Sequence, residues 1–196
     1  LAARMAAWLP HQPAATWPSI CATSRLARAG LRWRLAVQAP NPATAVQQLL
    51  GTLDPVQAPA GVARLAFALT PASIPSHWEA WQSFGVVASA LVHAPEQQAL
   101  ALQLAGTPPQ LRLIPAGAGA AAELEAHAYG EALPLEAPTP EQLVQLWLAG
   151  HAIQWRPLEP LGHWGRAVLP TTPFDRIHCW IEEAVSYTHL RAHETL

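Results

Sequence analysis

Residues 169–183 read Leu169-Pro170-Thr171-Thr172-Pro173-Phe174-Asp175-Arg176-Ile177-His178-Cys179-Trp180-Ile181-Glu182-Glu183. Pro170 and Pro173 fix their own φ and push Leu169 and Thr172 away from the α region. Phe174, Ile177, Trp180 and Ile181 then supply a large apolar load that has to be buried against something. A proline-punctuated strap with bulky anchors suits one placement, along the surface of another folded unit.

The rest of the chain has the composition of a folded protein. Of its 196 residues, 51% are hydrophobic and 12% are charged, the reverse of a disordered chain. That length suffices for one sizeable core or two small ones. Twenty prolines work against long helices. A net charge of −2 sets up no global field for nucleic acid or an anionic membrane. All eleven basic residues are Arg, a bias consistent with GC-rich coding. Two cysteines, Cys21 and Cys179, are too few for a disulfide framework, and a reduced, cytoplasmic setting is the default. No apolar run reaches the roughly 18 residues of a membrane span. The chain starts without Met or a signal-peptide pattern and is expected to be a fragment of something larger.

Along the chain, residues 1–9 read as a short helix with Leu1, Met5, Trp8 and Leu9 on one face, ended by Pro10 and Pro13. Residues 19–27 follow as a helix capped by Ser19, with Ile20 and Thr23 opening its face. Residues 31–37 alternate Leu31, Trp33, Leu35 and Val37 against Arg32, Arg34 and Ala36, a strand with one wet face. Residues 41–53 are helical, with Ala45, Val46, Leu49 and Leu50 inward. Beyond a linker at 55–59, strands are expected over 62–69, 86–92 and 111–114, and helices over 78–85 and 96–105. Residues 116–129 are rich in small residues and then helical. Residues 138–148 form a helix with Thr139 and Gln142 as a capping box and Leu143, Leu146 and Trp147 inward. Gly150 stops it, and 152–155 is extended. The class is α/β (α+β): a small sheet-and-helix unit, a middle region mostly helical with short strands, and an extended C-terminal strap.

Candidate sites are few. Gly117, Gly119 and the alanines after them follow a strand and precede a helix, as a dinucleotide turn does. No full βαβ unit or suitably placed acidic residue goes with them, so a small-residue turn is the better account. His77, His93, His127, His151, His163 and His178 show no metal-ligand spacing and read as surface or interface groups. Nine tryptophans invite a stacking role on a polymer, but most fall on apolar faces and suit packing. Arg25, Arg28, Arg32 and Arg34 form the one basic cluster. It reads equally as a solvated face or as a surface pairing with acidic residues of a neighbouring domain or carrier protein.

The strap closely resembles the LPTYPFxRxRYW segment that follows the acyltransferase of modular (type I) polyketide synthases. Leu169, Pro170, Thr171, Pro173, Phe174, Arg176 and Trp180 stand in register; Thr172 replaces Tyr, and His178-Cys179 replaces Arg-Tyr. Residues 143–155 resemble the element just before that strap, matching at Leu146, Gly150, Ile153 and Trp155, with Gln154 for Asp. Residues 20–37 resemble the ketosynthase–acyltransferase linker pattern DVAYTLxxGRxxFxxRLAVV. Thr23, Arg28, Arg34, Leu35, Ala36 and Val37 are identical, and Ile20 and Leu31 similar. Cys21, Ala22, Ser24 and Ala27 depart from it. The two linkers come in the family's order. Residues 185–195, VSYTHLRAHET, resemble the read-through of a sequencing adapter. Their His189 and His193, at helical spacing, therefore carry no metal expectation.

Between the linkers the family has a serine nucleophile on a GHSxGE turn, activated by a histidine and served by backbone oxyanion donors. Residues 83–106 lie without a gap on that segment, matching at Gly85, Val86, Ala90, Val92, Ala105 and Gly106. The motif itself becomes His93-Ala94-Pro95-Glu96-Gln97-Gln98, with Pro95 at the nucleophile position. Proline offers neither hydroxyl nor N–H. About 80 residues separate the linkers, where a full acyltransferase needs several times more.

The resemblance thus implies residues 1–54 as ketosynthase–acyltransferase linker, 55–137 as a truncated acyltransferase remnant and 138–184 as post-acyltransferase linker. Residues 185–196 are then a non-biological tail. It implies no catalytic, cofactor or metal residues here; phosphopantetheine would sit on an acyl carrier protein of the parent system. Interdomain contacts would fall to Leu169, Pro170, Pro173, Phe174, Arg176, Trp180, Trp155, Arg28 and Arg34. Implied partners are the ketosynthase domain of the same chain, an acyl carrier protein and a trans-acting acyltransferase, in a homodimeric parent, with no nucleic acid or membrane. Two other readings stay open: an acyltransferase whose recorded sequence is broken, and an unrelated Trp-rich binding module.

Overall fold

The computed structural model describes residues 1–28, 30–51, 54–59, 64–107, 111–116, 132–159 and 165–173. They form a mixed α/β protein with two sheets and two principal cores.

The N-terminal unit holds α1 (Ala2–Trp8), α2 (Trp17–Leu26), β1 (Trp33–Arg34), α3 (Pro42–Leu50) and β2 (Val56–Gln57). Short 3₁₀ turns at Leu9–His11 and Ala14–Thr16 join the first two helices, since Pro10 and Pro13 interrupt α-helical bonding. Asn41 caps α3 by accepting the Thr44 N–H at 2.9 Å, and Pro42 fills the first helical position. Leu9, Ile20 and Ala45 make the core, flanked by Trp8, Trp17, Val37, Val46 and Leu49.

Several expectations need correction here. The strand over 31–37 shrinks to Trp33–Arg34, paired antiparallel with Val56–Gln57. Leu31 and Trp33, expected inward, are 52% and 61% exposed, because two paired residues make a ribbon with no layer over that face. Leu1 and Leu50 are also exposed. The second helix begins at Trp17, and Ser19 lies inside it instead of capping it. The Ser19 carbonyl accepts the Thr23 hydroxyl at 2.7 Å.

The middle unit is a four-stranded parallel sheet in the order β5-β4-β3-β6. Its strands are β3 (Ala66–Ala68), β4 (Ala90–His93), β5 (Arg112–Pro115) and β6 (Leu133–Pro134). Helix α4 (Pro75–Ser83) links β3 to β4, and α5 (Gln98–Ala105) links β4 to β5. The chain steps outward from β3 to β5, then returns to place β6 on the other side of β3. Register aligns Leu133, Phe67, Leu91 and Leu113 in one row across all four strands. Trp78 and Trp81 of α4 and Leu104 of α5 cover that row. Phe67 meets Trp81 at 5.0 Å between ring centroids and Trp78 at 6.0 Å, the latter edge-on. Ala66, Ala90 and Ile114 pack on the other face.

Helix α6 (Pro140–Leu148) has the capping box of Thr139 and Gln142 that its sequence calls for. Leu143 and Leu146 join the sheet's core, as do Ile153, Trp155 and Leu158 further on. Gly150 follows at φ +107°, a conformation that side chains resist, and a Cβ there would meet Pro59 at 3.3 Å. Residues 151–154 carry no regular secondary structure, and Trp155, expected extended, is helical at φ −79°, ψ −9° as it leads into a 3₁₀ turn; the Gln154 N–H ties the segment to the sheet unit by donating to the Phe84 carbonyl at 2.8 Å. Residues 165–173, by contrast, run back to the first unit, where Ala167 and Leu169 pack beside Leu9, Ile20 and Ala45. The expected third segment therefore divides its packing between the two cores. Among the described residues, no helix is long and apolar enough to cross a membrane.

Candidate functional site

Two places were open to chemistry on the sequence: the turn at 93–98 and the basic cluster.

The turn follows β4 and leads through a 3₁₀ turn (Pro95–Gln97) into α5, a strand–turn–helix arrangement. Pro95 brings neither a hydroxyl nor an N–H to it. Ala94 is extended, Pro95 sits at the first position of the turn, and no residue of the turn has positive φ. The Gln97 N–H, which could have faced an oxyanion, donates to the Ala94 carbonyl at 2.9 Å. His93 is buried, not at the surface, because it sits at the end of an internal strand. Its Nε2 meets Gln98 Oε1 at 2.7 Å. Nearby, the Ser73 hydroxyl is consumed structurally. It donates to the Leu135 carbonyl at 2.7 Å and accepts the Thr70 N–H at 2.9 Å, locking the ends of β3 and β6 together.

The basic cluster is where the three parts of the chain converge. Arg34, on β1, donates through Nη1 to the carbonyls of Trp147 and His151, and its guanidinium lies 5.1 Å from the Trp147 ring centroid. A cation is favoured there because the last carbonyls of α6 carry the negative end of the helix dipole. Trp147 in turn meets Trp155 edge-on at 6.4 Å. Arg25 ion-pairs with Glu159. The Thr23 hydroxyl accepts the Ala167 N–H at 3.0 Å, and Arg28 donates to the Pro170 carbonyl at 2.8 Å. Helix α2 and the residue Arg28 just after it thus hold the returning segment at two places, Ala167 and Pro170. Arg32 faces Gln57 across the β1–β2 ribbon.

These bonds surround a cleft of about 500 Å³ between the N-terminal unit and the α6 region. His151 borders it and is 6% exposed, contrary to a surface reading. Burial, and then the Arg34 charge, push its pKa below the ordinary 6.5. The unfolded chain therefore binds more protons at this residue. Stability from it is complete above pH 6.5 and falls as the pH drops through the lowered value. His151→Phe is expected to lose less thermal stability than the parent between about pH 7.5 and 5.5, as read from the two melting temperatures. Equal losses would place His151 in water in the folded chain.

Of the residues implied as contacts, Leu169, Pro170, Arg28, Arg34 and Trp155 all lie in or beside this convergence, and Pro173 is exposed at its far end. Phe174, Arg176 and Trp180 lie outside the described residues, as do His127, His163, His178, the glycine turn from 117 and the tail from 185. Sequence reading did not find Trp147, His151 or Glu159 as partners. The capped helix and Gly150 located the end of α6, but nothing local connects that end to an arginine 113 residues earlier. Among the described residues no group of His, Cys, Asp and Glu is placed to hold a metal ion. Cys21 is a free thiol whose pKa is raised, chiefly by burial. No protein-family model matches the chain, and no curated protein or solved structure matches it.

Proposed function

We propose that this chain is a structural, non-catalytic segment of a type I polyketide synthase module, which positions a ketosynthase relative to its neighbours during chain extension. The observation that carries the reading is the return of residues 165–173 onto α2, through Thr23, Arg28 and the burial of Leu169. A strap bonded back onto the first unit fixes the two ends of the middle unit against each other. Such rigidity serves a spacer, because a set distance raises the effective concentration of a tethered acyl carrier. The resemblances of residues 20–37 and 169–180 supply the family, and the inert turn at Pro95 supplies the absence of chemistry. The setting is cytoplasmic, the neighbouring ketosynthase and an acyl carrier protein are the partners, and the extender unit is loaded by an acyltransferase acting in trans.

The test is acyl loading. The full chain is incubated with labelled malonyl-CoA and a phosphopantetheinylated carrier, with and without a free-standing acyltransferase. Label is expected on the carrier only when that enzyme is present. A labelled acyl-enzyme on this chain would overturn the reading.

A second reading has its own observation. The parallel sheet and the strand–turn–helix at His93–Gln98 are the kind of frame in which a nucleophile turn is built. The chain is then a damaged record of an acyl-CoA:acyl-carrier-protein acyltransferase. Long-read sequencing of the locus separates the two. A ketosynthase upstream with Pro95 retained favours the spacer, and a serine between glycines at that turn favours the enzyme.

A further inference from the structure

From the cleft between α2 and α6 we infer a binding site for a small organic oxyanion that carries a flat apolar group. The inference is independent of the polyketide reading. Arg25, Arg28, Arg34 and Arg156 line the cleft with Trp147 and Trp155, and none of its lining residues is acidic. Arg25 alone has an anionic partner, Glu159. Arg28 and Arg34 are held by carbonyl oxygens, which fix their direction, and neither has a carboxylate partner among the described residues. The Arg156 guanidinium has no hydrogen-bond or ion-pair partner among the described residues. Three arginines without a carboxylate partner among the described residues therefore border one cleft on a chain whose net charge is −2. Their mutual repulsion is relieved by an anion with more than one oxygen, since guanidinium groups pair with phosphate and carboxylate in a two-pronged geometry.

The other wall sets the rest of the ligand. Trp147 already has Arg34 on its ring, while Trp155 is half-buried beside it and joins Ile153 in offering an apolar surface. A volume of about 500 Å³ suits a ring with its acidic group, and is small for a folded segment of a partner. Phosphate esters and carboxylates share the required chemistry, and a dianionic phosphate meets more of the three charges.

The probes are phenyl phosphate, inorganic phosphate, benzoate, neutral benzamide and a hexaglutamate peptide, titrated calorimetrically into the full chain at about pH 7.5, where phenyl phosphate is a dianion. Phenyl phosphate is expected to bind with a Kd of about 1 mM, ordinary for a ligand of its size. Benzoate and inorganic phosphate should each bind several-fold more weakly, and benzamide not at all. Arg156→Gln should weaken phenyl phosphate about tenfold, the loss of one charge-assisted bond. Its circular dichroism and melting temperature should stay at the parent's values. Arg28→Gln should weaken binding similarly, and salt at about 0.5 M should weaken it in the parent. No binding by the parent, or Arg156→Gln binding like the parent, would overturn the site. Equal affinity for phenyl and inorganic phosphate would overturn the tryptophan wall. Binding of hexaglutamate with phenyl phosphate silent would overturn the small-ligand assignment in favour of an acidic protein surface.

Discussion

Trp81→Ala is expected to destabilise the protein by about 3–5 kcal/mol, the cost of removing a large aromatic from a packed core. Trp81 is 0% exposed and packs on Phe67, the residue at the centre of the row across the sheet. Its indole N–H also donates to the Glu136 carbonyl at 2.8 Å, so the same side chain ties α4 to the segment leaving β6. Alanine would open a cavity and remove the Glu136 carbonyl's donor together. Trp81→Phe keeps most of the ring and loses only the bond, with an expected cost of about 1–2 kcal/mol. Urea denaturation followed by far-UV circular dichroism separates the two. A loss under about 1 kcal/mol for Trp81→Ala would mean that α4 does not cover the Phe67 row.

The second large effect is expected at Arg34. Arg34→Gln should cost about 2–3 kcal/mol, the sum expected for charge-assisted bonds to two carbonyls and a half-buried cation–π contact. Arg34→Lys should recover little of it. An ammonium cannot lie flat on Trp147 while reaching the carbonyls of both Trp147 and His151. Hydrogen exchange gives the position of the loss. Amides at the end of α6 and around 151–154 should exchange faster in Arg34→Gln, while those of β3 and β4 stay protected. If α6 is unchanged, the contact between β1 and α6 does not contribute to folding.

Both experiments probe features that differ in how far the sequence foretold them. The helix at 140–148 was legible in detail, because a capping box, a proline at its start and a glycine past its end are local signals read within a few residues. Strands β3, β4 and β5 were legible as short apolar runs between turns, the first two expected several residues too long and β5 one residue too early. Register was not legible. Nothing within 66–68 specifies that Phe67 stands between Leu91 and Leu133, and β6, only two residues long, carries no periodicity to detect. The alternation over 31–37 was real but misleading. It marks an amphipathic ribbon, and whether its apolar side is buried depends on a covering layer from elsewhere, which Trp33 lacks.

The candidate site divides in the same way. At the turn at 93–98 the sequence already showed Pro95, a position without hydroxyl or N–H, a covalent fact that no packing changes. The arginine cluster, too, was visible as composition. Its partners were not: Glu159, Trp147, Ala167 and Pro170 lie more than a hundred residues from the side chains that bind them. Hydrogen bonds of that span form only after helix, sheet and strap have been brought together by burial of Phe67, Trp81 and Leu169. By itself the sequence determined the α/β class, the capped helix and the proline at the 93–98 turn, each governed by neighbours in the chain or by the chemistry of one side chain. Tertiary structure decided the sheet order, the burial of His93 and His151 and the cleft between α2 and α6, because those depend on which distant surfaces exclude water from one another.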